Sequence, residues 1–190
     1  MLPDFDPIAH RNNDNYSGNV FVKRILWGAI KPFFHLSPRP FYAWRNWVLR
    51  SFGATIGKDV RVYPSVDVFY PWNLILEDYA TLAWGVRVYS LGKIKIKRGA
   101  LISQHVTLCA GNHDYTKPNR PLLTPPIEIG EGVWVASEAF IGPGVTIGEQ
   151  SVVGARSVVV KSVAHHTLVA GNPARKIKSQ RQDPDSSASP

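Results

Sequence analysis

Cysteine, methionine and charge are all scarce in this chain. A single cysteine, Cys109, stands among 190 residues, which excludes an internal disulfide framework and a four-cysteine zinc site and suits a reducing compartment. No apolar stretch approaches the ~20 residues that a bilayer-spanning helix needs. Residues 1–19 (MLPDFDPIAHRNNDNYSGN) lack the basic start and apolar centre of a secretory signal. The expectation is a cytoplasmic protein, free to lie peripherally at the inner face of the membrane. Charged residues are 19% and hydrophobic residues 44%, a globular rather than a disordered composition, and the length suits one domain. Glycine and proline are plentiful, 15 of each, so many turns are expected rather than long helices. The net charge of +8 points to an anionic partner: a phosphorylated ligand, an anionic membrane or nucleic acid. The basic residues are dispersed and carry no recognition motif, so no nucleic-acid partner is expected.

From Ile129 the chain reads in sixes: IGEGVW, VASEAF, IGPGVT, IGEQSV, VGARSV, VVKSVA. Ile129, Val135, Ile141, Ile147, Val153 and Val159 hold the first position of the hexads. Gly130, Ala136, Gly142, Gly148, Gly154 and Val160 hold the second, and Val133, Ala139, Val145, Ser151, Ser157 and Val163 the fifth. A chain that coils around three flat faces places one short strand on each. One branched aliphatic per face then points inward and stacks on its equivalent one coil away, with coils ~4.8 Å apart. The small second residue is expected at a corner, where glycine tolerates unusual dihedrals. The predicted fold is therefore all-β, a parallel β-helix of hexapeptide repeats. A β-sandwich would show period-two strands between regularly spaced turns.

Upstream, Ile56, Val62, Val68 and Leu74 share one register. Leu76, Leu82, Val88 and Ile94 share a second, and Ile96, Ile102 and Leu108 a third. Each slip is two residues, which predicts irregular coils there. The expected organisation is a flexible N-terminus (1–19), an aromatic and basic helical segment (20–53), the β-helix (54–170) with an excursion loop (109–127), a short C-terminal segment (171–178) and a disordered tail (179–190). In the helical segment, Val22, Ile25, Leu26, Ala29 and Ile30 share a helix face that should end at Pro32. Phe41, Trp44, Trp47, Val48 and Phe52 predict a second short helix. Such helices either cap the open end of the β-helix or lie on an anionic membrane.

His113 and Asp114 lie in the loop, in AGNHDYT. Long loops in compact folds are commonly functional. A neutral imidazole there suits general-base catalysis on a hydroxyl. Asp114 adjoins His113, and neighbouring side chains of extended chain point opposite ways, so it is not expected to orient that ring.

The hexads, the histidine loop, GVWVAS, IGPGVTIGE, VVGARSVVVKSV and AGNPARKIK together resemble the hexapeptide-repeat acyltransferases. Within them the chain is similar to the maltose and galactoside O-acetyltransferase group. RPFYAWRNWVLRSFGATIGKDV and CAGNHDYT carry a resemblance to the colanic acid biosynthesis acetyltransferases. The likeness spans residues 20–178. It implies a left-handed β-helix and a homotrimer with active sites between neighbouring subunits. It implies acetyl-CoA as co-substrate, no metal, and a carbohydrate or lipid-linked glycan acceptor in exopolysaccharide biosynthesis. His113 takes the place of the family's base and would deprotonate a sugar hydroxyl for direct attack on the thioester, leaving Cys109 no nucleophilic role. Trp134 and Ser137 match the segment beside the thioester, with a backbone N–H near Ser137 for the oxyanion. Gly154 and Ala155 would let pantetheine approach the coil. Arg175, Lys176 and Lys178 would meet the CoA phosphates. Tyr79–Trp84 is bulky where galactoside enzymes carry polar acceptor contacts, which marks Tyr79 and Trp84, with Asp114, as acceptor-binding candidates for a larger glycan.

Three other readings remain at this level: another acyl-CoA transferase (serine, antibiotic or sugar-nucleotide N-acyl), a non-catalytic scaffold, and a zinc enzyme. The last needs three histidines about a metal. Here His105 and His113 are eight apart and His165 and His166 adjacent, with no ligand pair of recognisable spacing.

Overall fold

A computed structural model of the chain describes residues 3–13 and 18–179. Short strands repeat around three faces. The first face stacks Thr55–Ile56, Leu74–Leu76, Ile94–Ile96, Ile127–Ile129 and Thr146–Ile147. The second stacks Arg61–Val62, Thr81–Leu82, Leu101–Ile102, Trp134–Val135, Val152–Val153 and Thr167–Ala170, closed by an antiparallel strand Arg175–Ser179. The third stacks Asp67–Val68, Arg87–Tyr89, Thr107–Cys109, Phe140–Ile141 and Val158–Val159. Consecutive coils pair in parallel, giving a three-sided β-helix of five complete coils and part of a sixth. Each inward ladder is a column of the hexad aliphatics, for example Val62, Leu82, Ile102, Val135 and Val153, every one without solvent exposure. Each such side chain contributes roughly 1.5–3 kcal/mol of burial.

The slips upstream are regular rather than irregular. Ile56 pairs with Leu76 and Leu76 with Ile96, twenty residues per coil. Ile129 pairs with Ile147 and Val135 with Val153, eighteen per coil. The two extra residues always enter at the corner from the third face to the first. They lengthen the first-face strand to three residues with two inward side chains. Leu74, Ile94 and Ile127 then form a second buried ladder beside Leu76, Ile96 and Ile129.

The hexad glycines also act differently from the expectation. Positive φ falls on the fourth position: Gly132 (62°), Glu138 (60°), Gly144 (76°), Gln150 (53°) and Arg156 (57°). The second position is small because the next coil is close. A Cβ on Gly148 would stand 2.4 Å from the backbone nitrogen of His165, and one on Gly130 2.6 Å from that of Glu149.

Three helices precede the coils: α1 (Pro7–Arg11), α2 (Gly18–Leu36) and α3 (Tyr42–Ser51). α1 lies inside the segment read as a flexible N-terminus. α2 does not stop at Pro32 but runs on to Leu36. The lost i−4 bond is offset by what the last turn gains: Phe34 is buried and His35 Nδ1 donates to the Pro64 carbonyl at 2.7 Å.

The position of α2 and α3 follows from hydrogen-bond direction. Along the faces, coil N–H groups donate towards the C-terminal end, as in Gly57 to Leu76 (2.8 Å) and Glu77 to Ile96 (2.9 Å). Carbonyls of the first coil are therefore left without a coil partner, and buried carbonyls need donors. The helices supply them from side chains. Trp27 Nε1 donates to Val68 (2.9 Å), Arg45 Nε to Val62 (2.6 Å), Asn46 Nδ2 to Val60 (2.8 Å) and Arg50 to Ile56 (2.9 Å). Trp, Arg, Asn and His are the donors this edge requires, which accounts for the aromatic and basic texture of residues 20–52. The segment caps the β-helix. The tail at 180–190 lies outside the described residues.

Candidate active site

The excursion leaves the third face after Cys109 and returns at Ile127. It closes on itself as a hairpin in which Asn112–His113 pairs antiparallel with Leu122–Leu123. His113 is exposed on this hairpin, and its Nδ1 lies 2.8 Å from the Arg120 carbonyl oxygen. A carbonyl only accepts, so Nδ1 carries a proton, and in the neutral ring Nε2 presents a bare lone pair. The group that orients the imidazole is thus the Arg120 backbone.

Asp114 forms the turn beside it. Its carboxylate accepts from the Thr116 hydroxyl and, at 3.1 Å, from the Thr116 N–H, and Lys117 Nζ lies 3.7 Å away. The Thr116 bonds hold its pKa below the usual carboxylate range. These contacts make Asp114 a loop-forming residue, with no bond to His113.

A groove of about 480 Å³ runs along the outside of the second face and the corner from the second face to the third. It contains Trp134, Ser137, Gly154 and Ala155, the four residues expected beside the thioester and pantetheine, together with Ser103 and Leu168. Trp134 is half exposed, and its Nε1 donates to Ser103 Oγ at 2.9 Å, which fixes the indole along the groove. The smallness of Gly154 has a packing cause of its own: a Cβ there would meet that of Ala170 at 2.8 Å.

On the last second-face strand the side chains alternate. Leu168 lines the groove, whereas Thr167 and Val169 turn to a cavity of about 450 Å³ at the C-terminal end of the coil. Arg175 and Lys176 line that end cavity beside Lys161. The two expected phosphate-binding residues thus sit one strand away from the groove. The side chain of Lys178 lies outside the described residues.

The acceptor candidates are separated. Trp84 is exposed on the corner from the second face to the third, the ridge that also carries Ser137 and Ala155, and its carbonyl accepts from the His105 N–H at 2.9 Å. Tyr79 sits on the corner from the first face to the second, with φ of 61° and the Arg98 guanidinium 5.5 Å from its ring. It is not brought to the groove.

Nor is His113 brought to the groove within one chain. The hairpin grows from the corner between the third and first faces, and the third face lies between it and the groove. No hydrogen bond or ring contact among the described residues links the two. Sequence reasoning missed Arg120 and Ser103, and also His10, whose ring lies 5.4 Å from that of His113. Among the described residues no group of three or more His, Cys, Asp or Glu is placed to hold a metal ion.

Comparison with known proteins agrees with this architecture. Residues 126–161 match the bacterial transferase hexapeptide family (six repeats). The chain is 44% identical over 161 residues to an Escherichia coli K12 protein assigned as the colanic acid biosynthesis acetyltransferase WcaF, covering 85% of this chain and 88% of that one. It is 31% identical over 137 residues to the galactoside O-acetyltransferase of Escherichia coli K12, covering 70% and 68%. The crystal structure of a hexapeptide-repeat acetyltransferase from Vibrio cholerae in complex with acetyl-CoA superposes with a TM-score of 0.81 at 27% identity, covering 88% of this chain and 92% of that one. Hexapeptide repeats and acetyltransferase names are what these relatives have in common, and the chain belongs to the left-handed β-helix, hexapeptide-repeat acetyltransferases.

Proposed function

We propose that this protein moves an acetyl group from acetyl-CoA to a hydroxyl of a carbohydrate, a precursor of an exopolysaccharide, with His113 as general base. The observation that carries the reading is the His113 Nδ1–H bond to the Arg120 carbonyl at 2.8 Å, which leaves Nε2 bare on an exposed hairpin. Nε2 takes the hydroxyl proton as the oxygen bonds to the thioester carbonyl carbon. The tetrahedral intermediate collapses with cleavage of the C–S bond, and the CoA thiolate recovers the proton from the imidazolium. A backbone N–H near Ser137 would face the oxyanion. The name of WcaF supports the polysaccharide context, and the acetyl-CoA complex of the Vibrio cholerae relative supports the donor.

The separation of His113 from the groove supports a homotrimer in which the hairpin of one subunit meets the groove of the next. Calorimetric titration with acetyl-CoA, followed by thiol release with a panel of oligosaccharides, tests the function. Binding with transfer only to amines would replace the O-acetyl reading by an N-acyl one. Absence of binding would leave a scaffold.

We further propose that the outer face of the helical cap rests on an anionic bilayer. α2 is apolar on two sides. Trp27 and Phe34 are buried against the coil, while Phe21, Ile25, Phe33 and Leu36 are exposed on the opposite stripe, and on α3 the exposed Trp44 and Trp47 stack on each other at 5.3 Å. Residues 15–58 contain seven Lys or Arg and no Asp or Glu, the charge that an anionic surface selects. No helix among the described residues is long and apolar enough to cross a membrane. Flotation with phosphatidylglycerol vesicles should carry the protein, and phosphatidylcholine vesicles should not. Phe33→Ser with Trp47→Ser should abolish flotation while activity on a soluble acceptor stays unchanged. A change of oligomeric state in that variant, with flotation intact, would make the face a subunit contact instead.

A further inference from the structure

The N-terminal segment is bound to the hairpin that carries the base, about a hundred residues away in sequence. Asp6 caps α1, accepting from the Ile8 and Ala9 N–H groups at 3.0 Å, and its own N–H donates to the Pro118 carbonyl at 3.0 Å. His10 Nδ1 donates to the Asn119 carbonyl at 2.9 Å. Asn13 and Asn119 exchange two hydrogen bonds, of 2.9 and 3.1 Å. The Arg120 guanidinium lies 4.4 Å from the Phe5 ring. Residues 118–120 thus each hold the segment, and the carbonyl of Arg120 holds His113.

α1 buries no residue, so its attachment does not come from the core. What it contributes is a second ring. The imidazoles of His10 and His113 meet edge to face, with centroids 5.4 Å apart and planes at 61°. A single hydrogen bond at Nδ1 fixes one point of an exposed ring and leaves its plane free to tilt. A ring packed against it at a steep angle limits that tilt, and edge-to-face packing is the favoured arrangement for such pairs.

We infer that His10 is a positioning residue for His113, holding the plane of the base so that its bare Nε2 keeps one direction towards the acceptor hydroxyl. The inference rests on His113 being the base. A displacement of about 1 Å at a reacting group costs on the order of 10²-fold in rate, and a partial loss of ring orientation should cost less.

The test is steady-state kinetics on the full chain with four variants. His10→Ala should lower kcat about tenfold and leave the KM for acetyl-CoA within about twofold. His10→Phe keeps a ring against His113 but loses the bond to Asn119, and should recover most of kcat. Asn13→Ala loosens the segment without touching the ring, and should stay near wild type. His113→Ala should lose roughly 10²–10⁴ in kcat. Wild-type kcat in His10→Ala overturns the inference. So does His10→Phe no better than His10→Ala, or Asn13→Ala as slow as His10→Ala, since either makes the segment a mere tether. Near-normal activity in His113→Ala would instead overturn the assignment of the base, and the two failures are separate.

Discussion

Replacing His113 by alanine should lower turnover by roughly 10²–10⁴, the span that a positioned general base contributes, and leave acetyl-CoA binding within about twofold. The fold should not notice. The side chain is exposed, and the hairpin that carries it is held by backbone pairing of Asn112–His113 with Leu122–Leu123. The substitution removes an acceptor for the hydroxyl proton and nothing that touches the groove at Trp134. Near-normal thiol release by the variant would remove the mechanism. The same variant tests where the site lies. Ala155→Trp fills the groove at an exposed position and should be inactive by itself. If each site joins the hairpin of one subunit to the groove of the next, refolding the two inactive proteins together restores about a quarter of the sites, because the contact is heterologous. Should each site lie within one chain, the mixture stays inactive.

Much of the fold is written in the periodicity of the chain. Ile129 to Val159 fall at one register because each side chain occupies the same place on successive faces, so the coil and the identity of its inward residues were legible. The slips at Leu74 and Ile94 predict irregular coils, and the coils are regular. A two-residue insertion at one corner looks like a loss of phase in a linear sequence, and only stacking shows that both aliphatics point inward. The glycine assignment failed for a similar reason. Close approach of the next coil at Gly130 and Gly148 involves backbone atoms eighteen or so residues away, while the strained dihedral moves to Gln150 and Arg156, which carry no sequence signature.

The candidate site was suggested by side chains and not by backbone. His113 stands out by its place on the loop, and Trp134 and Ser137 only through the family resemblance, whereas the partner of the His113 ring is a carbonyl, and any residue could have supplied it. Tyr79 and Trp84 are five apart, in the stretch that the resemblance marks for acceptor contacts. A coil with three corners places them on different ridges.

The largest expected loss of stability comes from Arg45. Its side chain is fully buried and donates to the Val62 carbonyl (2.6 Å), Ser37 Oγ (2.8 Å) and the Pro38 and Arg39 carbonyls. No described carboxylate pairs with it. The guanidinium lies 5.1 Å from the Tyr42 ring, and burial lowers its pKa from the ordinary arginine value. It is a desolvated cation compensated by carbonyl dipoles, at the junction of α3, the turn before it and the open first coil. Arg45→Met fills similar space but leaves the buried Val62 carbonyl, two part-buried carbonyls and a part-buried hydroxyl without a donor. Each costs about 1–3 kcal/mol, relieved in part where water enters, so a net loss of about 3–5 kcal/mol is expected, comparable to breaking a buried ion pair. Against a total of roughly 5–15 kcal/mol, that shifts the urea midpoint strongly at unchanged slope. Arg50→Met should cost only ~1 kcal/mol, since its bonds to the Ile56 carbonyl lie at a part-exposed edge. Arg45→Lys should recover less than half of the loss. A lysine has three donors on one pivot, and the four acceptors here are spread along a planar fork. A midpoint for Arg45→Met equal to that of Arg50→Met would mean that the first coil does not need its carbonyls capped, and the aromatic and basic helices would then owe their composition to the bilayer alone.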